Sequence, residues 1–178
     1  KSVPQNQNNF IVIHLSGSHF NYDRRVPDGF LEQHDLTKGS KETNYDNSLQ
    51  YTDYVLQQIF AYSLQNLNLQ AMVYFSDHGE NMQYTHTTSP FTFDMVHIPF
   101  WVYLSSDYIH QYPSTAETLR NNRQNIFTND MIFETISGII QAPSNAYDSK
   151  YDISSASYSL TAGQALTIQG KRHISEDL

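Results

Sequence analysis

Ala71-Met72-Val73-Tyr74-Phe75-Ser76-Asp77-His78-Gly79-Glu80 is the stretch whose reading decides the fold. Its five apolar residues show no period-two alternation, which predicts a buried strand, and the run then breaks into an acid, an imidazole and a glycine. In open α/β sheets ligands bind outside the carboxyl ends of parallel strands, so the polar cluster falls where such a sheet builds its site. An earlier stretch repeats the design: Phe10-Ile11-Val12-Ile13-His14-Leu15 runs into Gly17-Ser18-His19. A third apolar run, Ile98-Pro99-Phe100-Trp101-Val102-Tyr103-Leu104, completes a set of predicted strands over about 10–15, 69–76 and 98–104.

Between the first two, Leu49, Val55, Leu56, Ile59, Phe60 and Leu64 recur at three- and four-residue steps and predict an amphipathic helix within 45–67. Strand, long loop, helix and strand form a unit whose right-handed crossover keeps the strands parallel and brings both polar clusters to one edge. Ser114-Thr115-Ala116-Glu117 has capping-box spacing, and Thr128 is placed to cap a helix from Met131 through Ile140, with Asp130 favourable in its first turn and Pro143 marking a stop. Residues 144–178 are rich in Ser, Tyr and Gly around one apolar patch, Ala165-Leu166-Thr167-Ile168, and read as an irregular extension with at most an edge strand. The expected fold is α/β, a mainly parallel sheet with helices on both faces, with 1–143 its principal part and 144–178 an extension of the same domain.

With 178 residues and 39% hydrophobic content the chain can build one core. A net charge of −8 and ten scattered Lys and Arg residues provide no basic stripe for a phosphate backbone, so nucleic acid is not expected as a partner. Without cysteine there is no disulfide framework and no thiolate metal site; ligands must be His, Asp and Glu. No apolar stretch approaches the roughly 20 residues that span a bilayer, and Lys1-Ser2-Val3-Pro4-Gln5-Asn6 reads as a cut inside a longer chain rather than a signal peptide.

Asp77 and His78 at a strand end turning through Gly79 can face one divalent cation, or can form a tight turn in which both bond backbone groups. Two further histidines favour the cation: His19 at the neighbouring strand end, and His86 in the polar loop Gln83-Tyr84-Thr85-His86-Thr87-Thr88, where no amphipathic pattern calls for one. Four groups are thus expected on one rim. His14, inside a strand, reads as a core histidine, and His97 is a weaker candidate of the same kind. Glu80 reads as a group that orients a ligand or as a turn cap. His34, His110 and His173 have no supporting neighbours.

Taken in order, Gly17-Ser18-His19 with Tyr22, Arg24 and Pro27, then Tyr45-Asp46-Asn47-Ser48-Leu49-Gln50-Tyr51-Thr52-Asp53, then Ser76-Asp77-His78-Gly79-Glu80, His86 and Ile98-Pro99-Phe100-Trp101, resemble the catalytic domain of the bacterial phosphoethanolamine transferases. These belong to the sulfatase-like branch of the alkaline phosphatase superfamily. The resemblance runs from about Phe10 to Ile140 and loosely to Tyr151-Asp152, and makes 1–143 the C-terminal part of a sulfatase-like catalytic domain. It implies zinc as cofactor, Asp77 and His78 as zinc ligands, and His19 and His86 as catalytic histidines that contact the transferred phosphoryl group or a second zinc. It implies phosphatidylethanolamine as donor, a lipid A or sugar phosphate as acceptor, and a covalent intermediate on a threonine upstream of this chain; Thr85, Thr87 and Thr88 do not match that motif. Asn47 and Asp53 are read as structural. The implied location is the periplasmic face of the bacterial inner membrane, with membrane contact through N-terminal helices outside this sequence. The family often holds this domain with disulfides, which this chain lacks. A sulfatase, phosphodiesterase or phosphoglycerol transferase on the same fold is the alternative within enzymes, and a non-catalytic metal-binding or recognition fragment is the alternative of another class.

Overall fold

The structure, a computed structural model, describes residues 7–86, 89–167 and 170–177. Lys1 to Asn6, Thr87, Thr88 and Ile168 from the readings above lie outside the described residues. The chain divides into two units, 1–69 and 70–178.

In the first unit, Phe10 to Leu15 is in no strand or helix and has no strand partner among the described residues, and Phe10, Ile11, Val12 and Ile13 are exposed, Val12 by 77%. The expected first strand, and with it the parallel pair, is therefore not formed among the described residues. A strand exists only through a ladder of backbone bonds to a neighbour, and the described residues of this unit contain no other strand to supply one. His14 shares that exposure and is not a core histidine. Gly17 takes φ +49°, a left-handed conformation that glycine adopts without penalty, and the turn closes with His19 N donating to Ser16 O at 3.2 Å. Two helices follow, α1 (Asp28–Gln33) and α2 (Lys41–Asn66). α2 starts ahead of the apolar periodicity because Ser40 Oγ accepts from Thr43 N at 3.2 Å, an N-cap five residues before Tyr45, the first tyrosine of the helix-opening motif. Val26, Phe30 and Leu31 form a small core closed by Leu36 and Tyr51. Buried Asn47 donates to Thr37 O at 3.0 Å, holding the loop before α2, the structural role expected for it.

The second unit opens with β1 (Ala71–Phe75), paired antiparallel to β2 (Phe100–Leu104) in the register Ala71↔Leu104 to Phe75↔Phe100. This corrects the expected mainly parallel sheet. Among its described residues the connection from Ser76 to Pro99 holds loops and a 3-10 turn at Phe93–Met95 and no helix to carry a crossover, and the chain returns beside the strand it left. Both strands are half-buried rather than sealed on two faces, because a two-stranded ribbon cannot cover itself; Trp101 is among the exposed apolar groups.

α3 (Ser106–Gln111) and α4 (Pro113–Asn122) follow. α4 starts at Pro113, not at the Ser114 capping box: proline at N1 brings a preset φ and has no N–H to satisfy. α5 (Ile132–Ile139) is led in by a 3-10 turn, Asn129–Met131, whose N-cap Thr128 contributes no side-chain bond, so the cap expected from its hydroxyl is absent. The helix ends in a Schellman arrangement, Ala142 N to Ser137 O at 2.9 Å and Gln141 N to Gly138 O at 3.1 Å, with Gln141 at φ +55°, just before Pro143.

The described residues from 144 to 177 are irregular, as expected, and mostly exposed, but are anchored at a few buried positions. Asp152, Ile153 and Ser154 are buried, and a short antiparallel hairpin of β3 (Leu166–Thr167) and β4 (Arg172–His173) gives two edge strands where one was expected. Asp152 Oδ1 accepts from Ser154 N at 2.8 Å and Ser154 Oγ at 2.6 Å, and its Oδ2 accepts from Tyr147 OH at 2.6 Å.

Candidate metal centre

The polar cluster at the end of β1 is held by its own backbone. Ser76 N donates to Pro99 O at 3.4 Å, continuing the ladder one residue, and Ser76 Oγ donates to His78 O at 2.8 Å. Gly79 N donates to Met95 O at 2.8 Å, and there the backbones press so closely that a Cβ on Gly79 would stand 2.2 Å from Asp94 O and 2.4 Å from His97 O. Only glycine fits.

His78 Nδ1 lies 2.7 Å from Gly79 O. A carbonyl only accepts, so Nδ1 carries the proton and Nε2 is the lone-pair nitrogen, the form in which imidazole binds a metal. Asp77 Oδ1 accepts from His78 N at 3.1 Å and stands 3.9 Å from His78 Nε2. Two donors on a tetrahedral zinc with bonds near 2.0–2.1 Å stand about 3.3 Å apart, so a small side-chain rotation brings this pair to ligand spacing. Asp77 is 83% exposed in its side chain, and nothing packs against that movement. The donor set, one carboxylate oxygen and one neutral imidazole nitrogen, fits zinc.

His86 reaches the same place through a tight turn. Asn81 and Thr85 exchange backbone bonds of 3.0 and 2.7 Å, Thr85 takes φ +60°, and Asn81 Oδ1 accepts from Gln83 N and Tyr84 N, both at 2.9 Å. Asn81 Nδ2 also donates to Asp94 Oδ2 at 2.9 Å. The turn stacks the His86 ring on His78, centroids 4.3 Å apart. His86 Nδ1 lies 3.2 Å from Oε2 of Glu80, whose side chain is only 5% exposed. A carboxylate next to Nδ1 favours the tautomer with the proton there, a contact consistent with the orienting reading of Glu80 rather than the turn-cap one.

The structure thus brings Asp77, His78, Glu80 and His86 together. Among the described residues no group of three or more His, Asp or Glu side chains gathers tightly enough to hold a metal ion, so the expected convergence of four is observed as two linked contacts, Asp77 with His78 and His78 with His86. His19 belongs to the first unit. There Arg25 donates from Nε to His19 O at 2.9 Å and from its second guanidinium nitrogen to Phe20 O at 3.1 Å, and the same nitrogen faces His19 Nδ1 at 3.4 Å. His97 Nε2 pairs with Asp177 at 2.6 Å, His34 packs on Phe30, His110 caps onto Ser106 O and His173 caps a 3-10 turn, so none of these joins the β1 loop.

The sulfatase family's sequence profile matches residues 2–142. The chain belongs to the sulfatase family. It is 33% identical over 168 residues to phosphoethanolamine transferase EptA of Helicobacter pylori, which covers 83% of this chain and 31% of that protein. It is 28% identical over 124 residues to the Kdo(2)-lipid A phosphoethanolamine 7''-transferase of Escherichia coli K12, over 60% of this chain and 21% of that protein. In architecture it is similar to the C-terminal periplasmic domain of EcEptC from Escherichia coli, solved in complex with Zn, with a TM-score of 0.66, 22% identity and coverage of 82% of this chain and 45% of that one. The chain spans less than a third of the length of these two relatives. In this member of the sulfatase family two asparagines do work that the sequence did not announce: Asn81 shapes the turn that delivers His86, and Asn129 donates to both Ser76 O and Asp77 O at 3.0 Å. A side-chain-capped turn is readable around Asn81 from Asn-x-x-Tyr; no local signal marks Asn129.

Proposed function

We propose that this chain is the C-terminal part of the catalytic domain of a zinc-dependent phosphoethanolamine transferase. The group moves from phosphatidylethanolamine to a lipid A or glycan phosphate at the periplasmic face of the inner membrane. Family membership and the relatives named above support the reaction class. The observation that carries the site is the stacked His78–His86 pair, each ring with Nδ1 engaged by a fixed acceptor and Asp77 alongside.

Asp77 and His78 hold the zinc. When bound, zinc supplies charge neutralisation at phosphoryl oxygens and a lowered pKa for a hydroxyl beside it. His86, with Nδ1 on Glu80, would accept at Nε2 the proton that the attacking hydroxyl gives up, and the imidazolium so formed would be stabilised by the carboxylate behind it. His19, its carbonyl and ring held by Arg25, supplies a second imidazole for the phosphoryl group or for a second zinc. In this reading the covalent intermediate forms on a threonine upstream of this chain, as the family resemblance implies; Thr85, Thr87 and Thr88 do not match its motif. Membrane contact also comes from elsewhere: among the described residues no helix is long and apolar enough to cross a bilayer.

The test incubates the full-length protein carrying this chain with zinc and a fluorescent phosphatidylethanolamine. Release of fluorescent diacylglycerol that disappears in Asp77→Ala supports the reading. Intact zinc binding with no release transfers the assignment to another ester, a sulfate or a phosphodiester, on the same metal.

A further inference from the structure

We propose that Asn129 is a positioning residue for the zinc loop, fixing the backbone of Asp77 so that its carboxylate is presented to the metal. The inference rests on the reading of Asp77 and His78 as zinc ligands. Four successive carbonyls beyond the end of β1 are each met by a side chain. Ser76 O and Asp77 O accept from Asn129 Nδ2 at 3.0 Å each, His78 O accepts from Ser76 Oγ at 2.8 Å, and Gly79 O accepts from His78 Nδ1 at 2.7 Å. Two of the four depend on one nitrogen, and both of its hydrogens are used.

That arrangement needs a short neutral group with two hydrogens on one atom, which a carboxamide provides and a carboxylate or hydroxyl does not. Asn129 is placed by long-range packing. Phe127, two residues before it, stacks on Phe100 of β2 with centroids 4.3 Å apart, and Phe100 is the register partner of Phe75 at the end of β1. The ring stack thus sets Asn129 against the loop that leaves the opposite strand. Among the described residues the exposed Asp77 carboxylate is held only by the 3.1 Å bond that Oδ1 accepts from His78 N, so the backbone on either side of Asp77 sets where it stands. Losing the two bonds frees the φ and ψ angles on either side of Asp77 and raises the entropy lost when zinc is bound.

The test uses the full-length protein and Zn2+ alone as probe, with affinity read by competition against a chromogenic chelator and thermal unfolding read after metal removal. Asn129→Ala and the near-isosteric Asn129→Asp are each expected to weaken zinc about ten- to hundredfold, the range seen when a group behind a metal ligand is removed. Asn125→Asp, which adds the same charge elsewhere in the unit, is expected to bind as wild type. Asn129 variants that melt earlier yet bind zinc with wild-type affinity when folded would make the residue merely structural and overturn the proposal. Equal binding by wild type and Asp77→Ala would overturn the zinc reading, and this inference with it. If Asn129→Asp does not fold, Asn129→Ala decides alone.

Discussion

His78 and His86 show how a polar residue becomes a defined ligand. Imidazole has two tautomers, and each ring here has its Nδ1 proton directed by an acceptor, a carbonyl for His78 and a carboxylate for His86. Asp77→Ala and His78→Ala are each expected to remove zinc and abolish turnover, measured by metal quantification beside the diacylglycerol assay, whereas His34→Ala, which loses ring contacts with Phe30 and Tyr54, leaves both intact. Turnover retained by Asp77→Ala would sink the metal assignment. His86→Ala is expected to keep most of its zinc while turnover drops about a hundredfold or more, the usual size of a lost proton-transfer group; equal loss of zinc and activity would make His86 a ligand instead. That Asp77, His78 and His86 lie beside one another was legible because strand-end chemistry is local and an unexplained histidine in a polar loop stands out. Asn129 was not: its two bonds reach back more than fifty residues, and nothing next to Asn129 distinguishes it from a helix-leading asparagine.

Elements with a local signature were read correctly, and those whose state depends on a distant partner were not. The apolar runs at 71–75 and 100–104 became strands, and the three- and four-residue spacing of 49–64 became the body of α2. The run at 10–15 has the same composition yet stays unpaired, and the direction of the β1–β2 pair was decided by a helix-free connection rather than by either strand. α5 carries a test of such context. Alanine in place of a helix-interior glycine ordinarily stabilises by about 1 kcal/mol. At Gly138 the added Cβ would stand 2.0 Å from Asp152 Oδ2 and 2.6 Å from Ser154 Oγ, and Asp152 is buried in bonds to Tyr147 and Ser154 that cannot all shift. Overpacking of this kind costs about 1–3 kcal/mol, which outweighs that gain, so Gly138→Ala is expected to destabilise by up to about 2 kcal/mol net in urea unfolding. A stabilised variant would show that the Asp152 network yields without loss.

At the scale of the whole molecule, a chain with no cysteine and thirteen tyrosines ties distant segments of its second unit together through phenol hydroxyls. Tyr108 OH donates to Ile139 O at 2.5 Å, Tyr147 OH to Asp152, and Tyr158 OH to Ile126 O across thirty-two residues. Each phenol must be protonated to donate, and burial pushes all three pKa values above the ordinary tyrosine value, Tyr158 to about 12, with the Asp152 carboxylate adding to the rise at Tyr147. The sign follows from linkage: the folded state holds these protons more tightly than the unfolded chain, whose tyrosines titrate near pH 10. The stabilisation is therefore complete below about pH 10 and is lost as pH rises through the window from 10 to 12. Denaturant unfolding from pH 8 to 11.5 is expected to show a level free energy up to about pH 9.5 and a steep fall above it. Tyr158→Phe is expected to start lower, because Ile126 O loses its donor, and to fall less steeply, because one raised phenol no longer titrates. If the variant kept the full wild-type slope, the alkaline transition would belong to other groups, and Tyr158 would be a packing residue rather than a proton-dependent tie.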